Sequence, residues 1–128
     1  MRPANLFLTE DGVLKLGYYG LATQSEYYGI KRDCDGVLGF APEVFEGEYE
    51  MKSDVWSLGI VVVEMMGLWP YYPYKPGEFY YDMQDSYALY DQYAIHSSDL
   101  AFFLTESFQK RIDRRWSVKE FMNVSRME

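Results

Sequence analysis

"SDVWSLGIVVVEMM", residues 53–66, is the stretch on which the fold of this chain turns. Ser53 is a favourable helix N-cap residue, and Asp54 complements the positive end of a helix dipole. Behind them come Val55, Trp56, Leu58, Ile60, Val61, Val62, Val63, Met65 and Met66, so apolar side chains fall on every side of a helical wheel. A helix apolar all round is buried all round. The β-branched run at 60–63 is also compatible with a strand, but the length and the cap favour helix. The stretch predicts a central helix over 53–66 with the rest of the fold packed around it.

On the N-terminal side, "NLFLTEDGVLKLG" (5–17) has two short apolar runs separated by "TEDG". Asp-Gly is a strong tight-turn signal, which predicts a hairpin of strands 6–8 and 13–16. Residues 20–40 carry no clean period and read as a long loop, a length that often marks function. On the C-terminal side, residues 67–85 hold three prolines and two glycines and read mostly as loop. "SDLAFFLTESFQKRI" (98–112) has Ser98 as a cap and Leu100, Phe103, Leu104 and Phe108 at helical spacing. "SVKEFMNVS" (117–125) opens on Ser117 and Glu120, a capping-box pattern. Strands followed by helices, segregated along the chain, predict a mostly α fold of the α+β class with an N-terminal β-hairpin and a buried central helix.

At 128 residues the chain is the size of one ordinary domain, and 48% hydrophobic content is enough for a core. Aromatic residues make up 19%, too many for a disordered chain. The net charge of −8 argues against nucleic-acid binding and against anionic membrane surfaces. Cys34 is the single cysteine, which excludes an intrachain disulfide and fits a reducing compartment. No apolar run reaches 18 residues, and the N-terminus has no secretory h-region, so the sequence predicts a soluble, cytoplasmic chain.

Taken in order, "RPAN" (2–5), the hairpin, "YYG" (18–20), a long loop, "APE" (41–43) and "SDVWSLG" (53–59) resemble the C-terminal lobe of a eukaryotic protein kinase. "WPY" (69–71) and "RRWSV" (114–118) resemble the family's later segments, so the likeness runs over about residues 1–125. "KSDVWSLGI" (52–60) is similar to the Ser/Thr kinases, of Sterile-20-like or mitotic-kinase-like type. The resemblance implies one unit over 1–128: a catalytic-loop remnant at 1–5, an activation segment at 18–43, the central helix at 53–66 and C-terminal helices within 98–125. It implies phosphoryl transfer from Mg-bound ATP for a complete, active member of the family.

Several positions depart from that pattern. Tyr18 stands where the family has its metal-binding aspartate, and a phenol is neutral at pH 7. Arg2 stands in the usual lysine position, and a forked guanidinium is not a conservative replacement for a point charge; a solvated surface charge is the other reading of Arg2. Val37, in "GVLGF" (36–40), replaces the threonine whose hydroxyl bonds the catalytic loop. The catalytic aspartate falls one position before Met1 by register, and the phosphate-cradling parts of the other lobe are not in this sequence. The expectation is therefore a pseudokinase-like binding or scaffold module, without a cofactor of its own; the alternative is part of a divergent active kinase using ATP and Mg²⁺.

Asn5 corresponds to the catalytic-loop asparagine that helps hold Mg²⁺, or else caps a turn through its own backbone. Glu43 and Arg115 are by resemblance a structural ion pair, with Arg114 the competing partner. Asp54 resembles the helix-start aspartate that ties down the catalytic loop, and its dipole role predicts the same residue. Trp56 belongs to the same motif and is read as core. Thr23, Ser25, Tyr27 and Tyr28 are possible phosphorylation sites in the activation segment. His96 has no partner pattern for a metal, and Cys34 sits among acids that disfavour the thiolate. The partners implied are proteins, with self-association through a face that the other lobe would cover.

Overall fold

The computed structural model describes residues 5–17, 40–45, 47–67 and 97–124. Its elements in chain order are β1 (Leu6–Leu8), β2 (Leu14–Leu16), α1 (Pro42–Phe45), α2 (Met51–Met65), α3 (Ser98–Ser107) and α4 (Val118–Val124). The described residues are thus mostly helical, with one antiparallel hairpin at the start.

β1 and β2 pair with Leu6 opposite Leu16, Phe7 opposite Lys15 and Leu8 opposite Leu14. The turn between them is held from both sides. Thr9 N–H donates to the Val13 carbonyl at 2.9 Å, and Gly12 N–H donates to the Thr9 carbonyl at 2.9 Å. The Thr9 hydroxyl donates to Asp11 Oδ1 and takes Val13 N–H at 3.0 Å. Gly12 has φ of 81°, a conformation in which a Cβ would be strained.

α2 is the longest described helix, and it begins two residues earlier than the sequence predicts. Its N-cap is Glu50, and Ser53 lies one turn inside, where its hydroxyl accepts Glu50 N–H at 3.2 Å. Burial runs from Ser53 to Val63 along most of the helix, but Asp54, Glu64 and the terminal methionines Met51 and Met65 are exposed. The expectation of burial on every side therefore holds in the middle turns and fails at both ends. Gly67 closes the helix with φ of 71° and donates its N–H to the Glu64 carbonyl at 2.9 Å, the left-handed cap typical of a helix stop.

α3 starts from Ser97, not Ser98: the Ser97 hydroxyl accepts Leu100 N–H at 3.3 Å. It stops at Ser107, five residues short of the expected end. Beyond it, Arg114 and Arg115 N–H groups both donate to the Arg111 carbonyl at 3.1 Å, so the chain is turning rather than helical there. α4 opens on the Ser117–Glu120 capping box read from the sequence. Ser117 N–H donates to Glu120 Oε2 at 2.7 Å, and Glu120 N–H donates to the Ser117 hydroxyl at 3.3 Å.

The core lies between α2 and α3 and is sealed by α1. It comprises Ala41, Val44, Trp56, Ile60, Val63, Ala101, Leu104 and Phe108. Trp56 and Phe108 meet edge to face, 5.1 Å between centroids at 82°. Such a pair adds about 0.5–1.5 kcal/mol beyond area burial. A second aromatic group, Phe102, Phe103, Trp116 and Phe121, joins α3 to α4.

Candidate functional site

Pro42 sits at the first position of α1, where its missing N–H costs nothing and its fixed φ suits a helix start. That short turn presents Glu43 inward, between the start of α2 and the segment after α3. Arg115 arrives there from the opposite end of the described chain with no exposed surface. Its two terminal nitrogens fork onto the carboxylate, Nη1 to Oε1 at 2.5 Å and Nη2 to Oε2 at 2.9 Å. Two of the three remaining N–H donors are also used: Nε donates to the Gln109 carbonyl at 3.0 Å and Nη1 to the Lys52 carbonyl at 3.1 Å. The guanidinium carbon lies 5.0 Å from the centre of the Trp56 ring, within cation–π range.

Glu43 is equally well held. The Ser53 hydroxyl donates to Oε1 at 2.8 Å while accepting Glu50 N–H, so one hydroxyl links the carboxylate to the α2 cap. Burial pushes the Glu43 pKa up, but hydrogen bonds from Arg115, its own backbone N–H and Ser53, with the arginine's charge, outweigh it. The net result is a carboxyl held below the usual glutamate value. The arrangement is a bidentate pair with most of its other hydrogen-bonding positions filled, the condition under which a buried ion pair is tolerated. It joins α1, α2 and the turn after α3 and has no open position for a ligand.

Asp54 is exposed in the first turn of α2 and accepts the Tyr49 hydroxyl at 3.1 Å. Burial, the charge of Asp54 and this hydrogen bond push the Tyr49 phenol up to about 12. Asn5 lies at the open end of the hairpin, where its carbonyl accepts Gly17 N–H at 2.8 Å. That bond pairs the backbone at Asn5 with the residue before Tyr18 in the sequence. Asp11 sits at the closed end, its carboxyl lowered chiefly by the Thr9 hydroxyl.

Arg2, Tyr18, Thr23, Ser25, Tyr27, Tyr28, Cys34, Val37 and His96 lie outside the described residues. Of the positions singled out from sequence, the structure brings together Glu43, Arg115 and Trp56, and it uses Arg115 rather than Arg114. Asp54 stands apart from that cluster. Asn5 offers a neutral amide oxygen, and Glu10 and Asp11 lie at the opposite end of the hairpin. No cluster of three or more His, Cys, Asp or Glu side chains among the described residues could hold a metal ion, and no described helix is long and apolar enough to cross a membrane.

Sequence reasoning missed four partners. Ser53 is read from sequence only as a cap, although a serine one turn into a helix can also donate sideways. Tyr49 carries a signal, an aromatic hydroxyl five residues before the exposed Asp54 at a helix start. The Lys52 and Gln109 carbonyls carry none, because a backbone acceptor has no residue type.

The comparison that bears on this geometry is a match to the protein kinase domain over residues 1–126. The chain belongs to the protein kinase domain family. Its kinase relatives include serine/threonine-protein kinase Nek9 of Xenopus laevis, 41% identical over 71 residues, or 53% of this chain and 8% of that protein. Serine/threonine-protein kinase pak-2 of Caenorhabditis elegans is 29% identical over 92% of this chain. Mitogen-activated protein kinase kinase 2 of Arabidopsis thaliana is 31% identical over 95%. The chain spans only 24% of the length of the second and 37% of the third.

Proposed function

We propose that this chain forms the C-terminal lobe of a Ser/Thr-type kinase domain that serves as a binding or scaffold module and does not transfer phosphate. The observation that carries the reading is Tyr18, a neutral phenol at the family's metal-carboxylate position. Val37 and Arg2 point the same way. The architecture argues that the lobe is kept for its shape: the buried Glu43–Arg115 fork, whose role is structural, is complete. On this reading the chain uses no cofactor of its own, works in the cytoplasm and engages proteins. The relatives' names span several kinases, and a Sterile-20-like subgroup is retained as part of the proposal. The test is calorimetric titration of Mg-ATP into the intact polypeptide that carries this sequence, with Tyr18→Asp alongside. No Mg-dependent binding in the natural protein, with a gain in the variant, is the expected result. Saturable Mg-dependent binding by the natural protein would sink the proposal.

A second reading has its own support, since the curated relatives are named as kinases and Asn5 is retained. On it the parent is a divergent active Ser/Thr kinase that uses ATP and Mg²⁺. Phosphate transfer to a generic protein substrate, lost in Asn5→Ala, would favour that reading.

A further inference from the structure

We propose that Tyr49 is a phosphorylation site, and that phosphate there loosens the start of α2. Tyr49 is the one tyrosine among the described residues, and it lies in the extended connection between α1 and α2 with 48% of its surface exposed. Its hydroxyl makes a single described hydrogen bond, to Asp54 Oδ1 at 3.1 Å, and that bond ties the connection to the first turn of α2.

The surroundings fix the sign of the effect. Glu48 and Glu50 flank Tyr49 and are exposed, and Asp54 faces its hydroxyl. A phosphotyrosine carries about −1.5 to −2 charges and no hydroxyl proton to donate. The Asp54 bond is then lost and replaced by repulsion, the disruptive case for a phosphate beside acidic groups. Glu50 is the residue whose N–H seats on Ser53, and Ser53 in turn holds Glu43. A push on residues 48–54 is therefore transmitted to the cap of α2 and to the buried fork. The acidic flanks also set the class of modifying enzyme, a tyrosine kinase with a basic substrate groove. In the step, the phenolic oxygen bonds to the γ-phosphorus of ATP and the bond from that phosphorus to the β,γ-bridging oxygen breaks. ADP leaves, and the phenolic proton passes to the modifying kinase's own base.

Two measurements on the 128-residue chain test this. In the first, it is incubated with a broad-specificity tyrosine kinase and Mg-ATP, and phosphate is mapped by mass spectrometry. Phosphate at Tyr49 is expected; modification of other tyrosines with none at Tyr49 would overturn the proposal. In the second, phosphotyrosine is installed at position 49 by genetic encoding and thermal unfolding is followed. The expected Tm falls by about 4 °C, the scale of one modest interaction in a domain of this size. Asp54→Asn in the phosphorylated chain restores part of that shift, and Tyr49→Phe loses less than phosphotyrosine does. An unchanged Tm on phosphorylation would overturn the proposed effect. Neither measurement depends on whether the chain binds nucleotide.

Discussion

Arg115 has no exposed surface, and all its described donors but one atom's second proton are committed to Glu43, Lys52 and Gln109. Removing its counter-charge would leave a guanidinium buried in an environment chosen for a carboxylate. Glu43→Gln keeps the shape and one acceptor but discards the charge. The expected loss of stability is on the order of 3 kcal/mol at pH 7, measured by urea unfolding. The pH dependence follows from the depressed carboxyl of Glu43. A group whose pKa is lower folded than unfolded contributes stability above its unfolded value, and loses it as pH falls through its folded value. The gap between wild type and Glu43→Gln should therefore be full at neutral pH and shrink steadily below about pH 4.5. A gap that stays constant down to pH 3 would show that the charge of Glu43 contributes nothing. This pair was legible from sequence only by resemblance, and only to within one residue. Nothing in "DRRWSV" says which arginine turns inward, because that depends on where α3 stops.

At the scale of elements, α2 was legible because its apolar content is unmistakable, and its start was not. Met51 and Lys52 add no apolar period, since Met51 is exposed and Lys52 half-buried, so the sequence points to the serine instead. The early end of α3 escaped for a related reason. Phe108 continues the helical period on paper and is fully buried, but it already sits at the C-cap with φ of −97°. The contact between the two helices is close at one place. A Cβ on Gly59 would stand 3.0 Å from the Phe108 ring and 3.1 Å from Ser107 Cβ, both on fully buried residues with little room to retreat. An ordinary helix gains about 1 kcal/mol when glycine becomes a better helix former. Overpacking of a rigid core costs about 1–3 kcal/mol, and more as the side chain grows. Gly59→Val is therefore expected to lower Tm clearly, with Gly59→Ala close to neutral or mildly destabilising. A Gly59→Val protein as stable as wild type would mean that α2 and α3 can separate freely.

For the whole molecule, the strands were readable and their surroundings were not, because period-two patterning says which residues share a face and leaves open what covers it. The observed register puts Leu6, Leu8, Leu14 and Leu16 on one face of the hairpin and Phe7 and Lys15 on the other. Three of those leucines are exposed, Leu8 at 72%. Four leucines on one face of a two-stranded sheet are more than an isolated hairpin in water retains without a covering layer. A second copy of the chain can supply that layer. Self-association is thus expected for the 128-residue chain, opposed by a net charge of −8 that keeps copies apart at low ionic strength. Light scattering over a range of concentrations should find a dimer that grows with concentration and salt. Leu8→Lys with Leu14→Lys should return it to monomer at every concentration while leaving the α2–α3 core folded. A natural chain that is monomeric throughout would mean that the leucine face is tolerated exposed, and the dimerisation argument would fall with it.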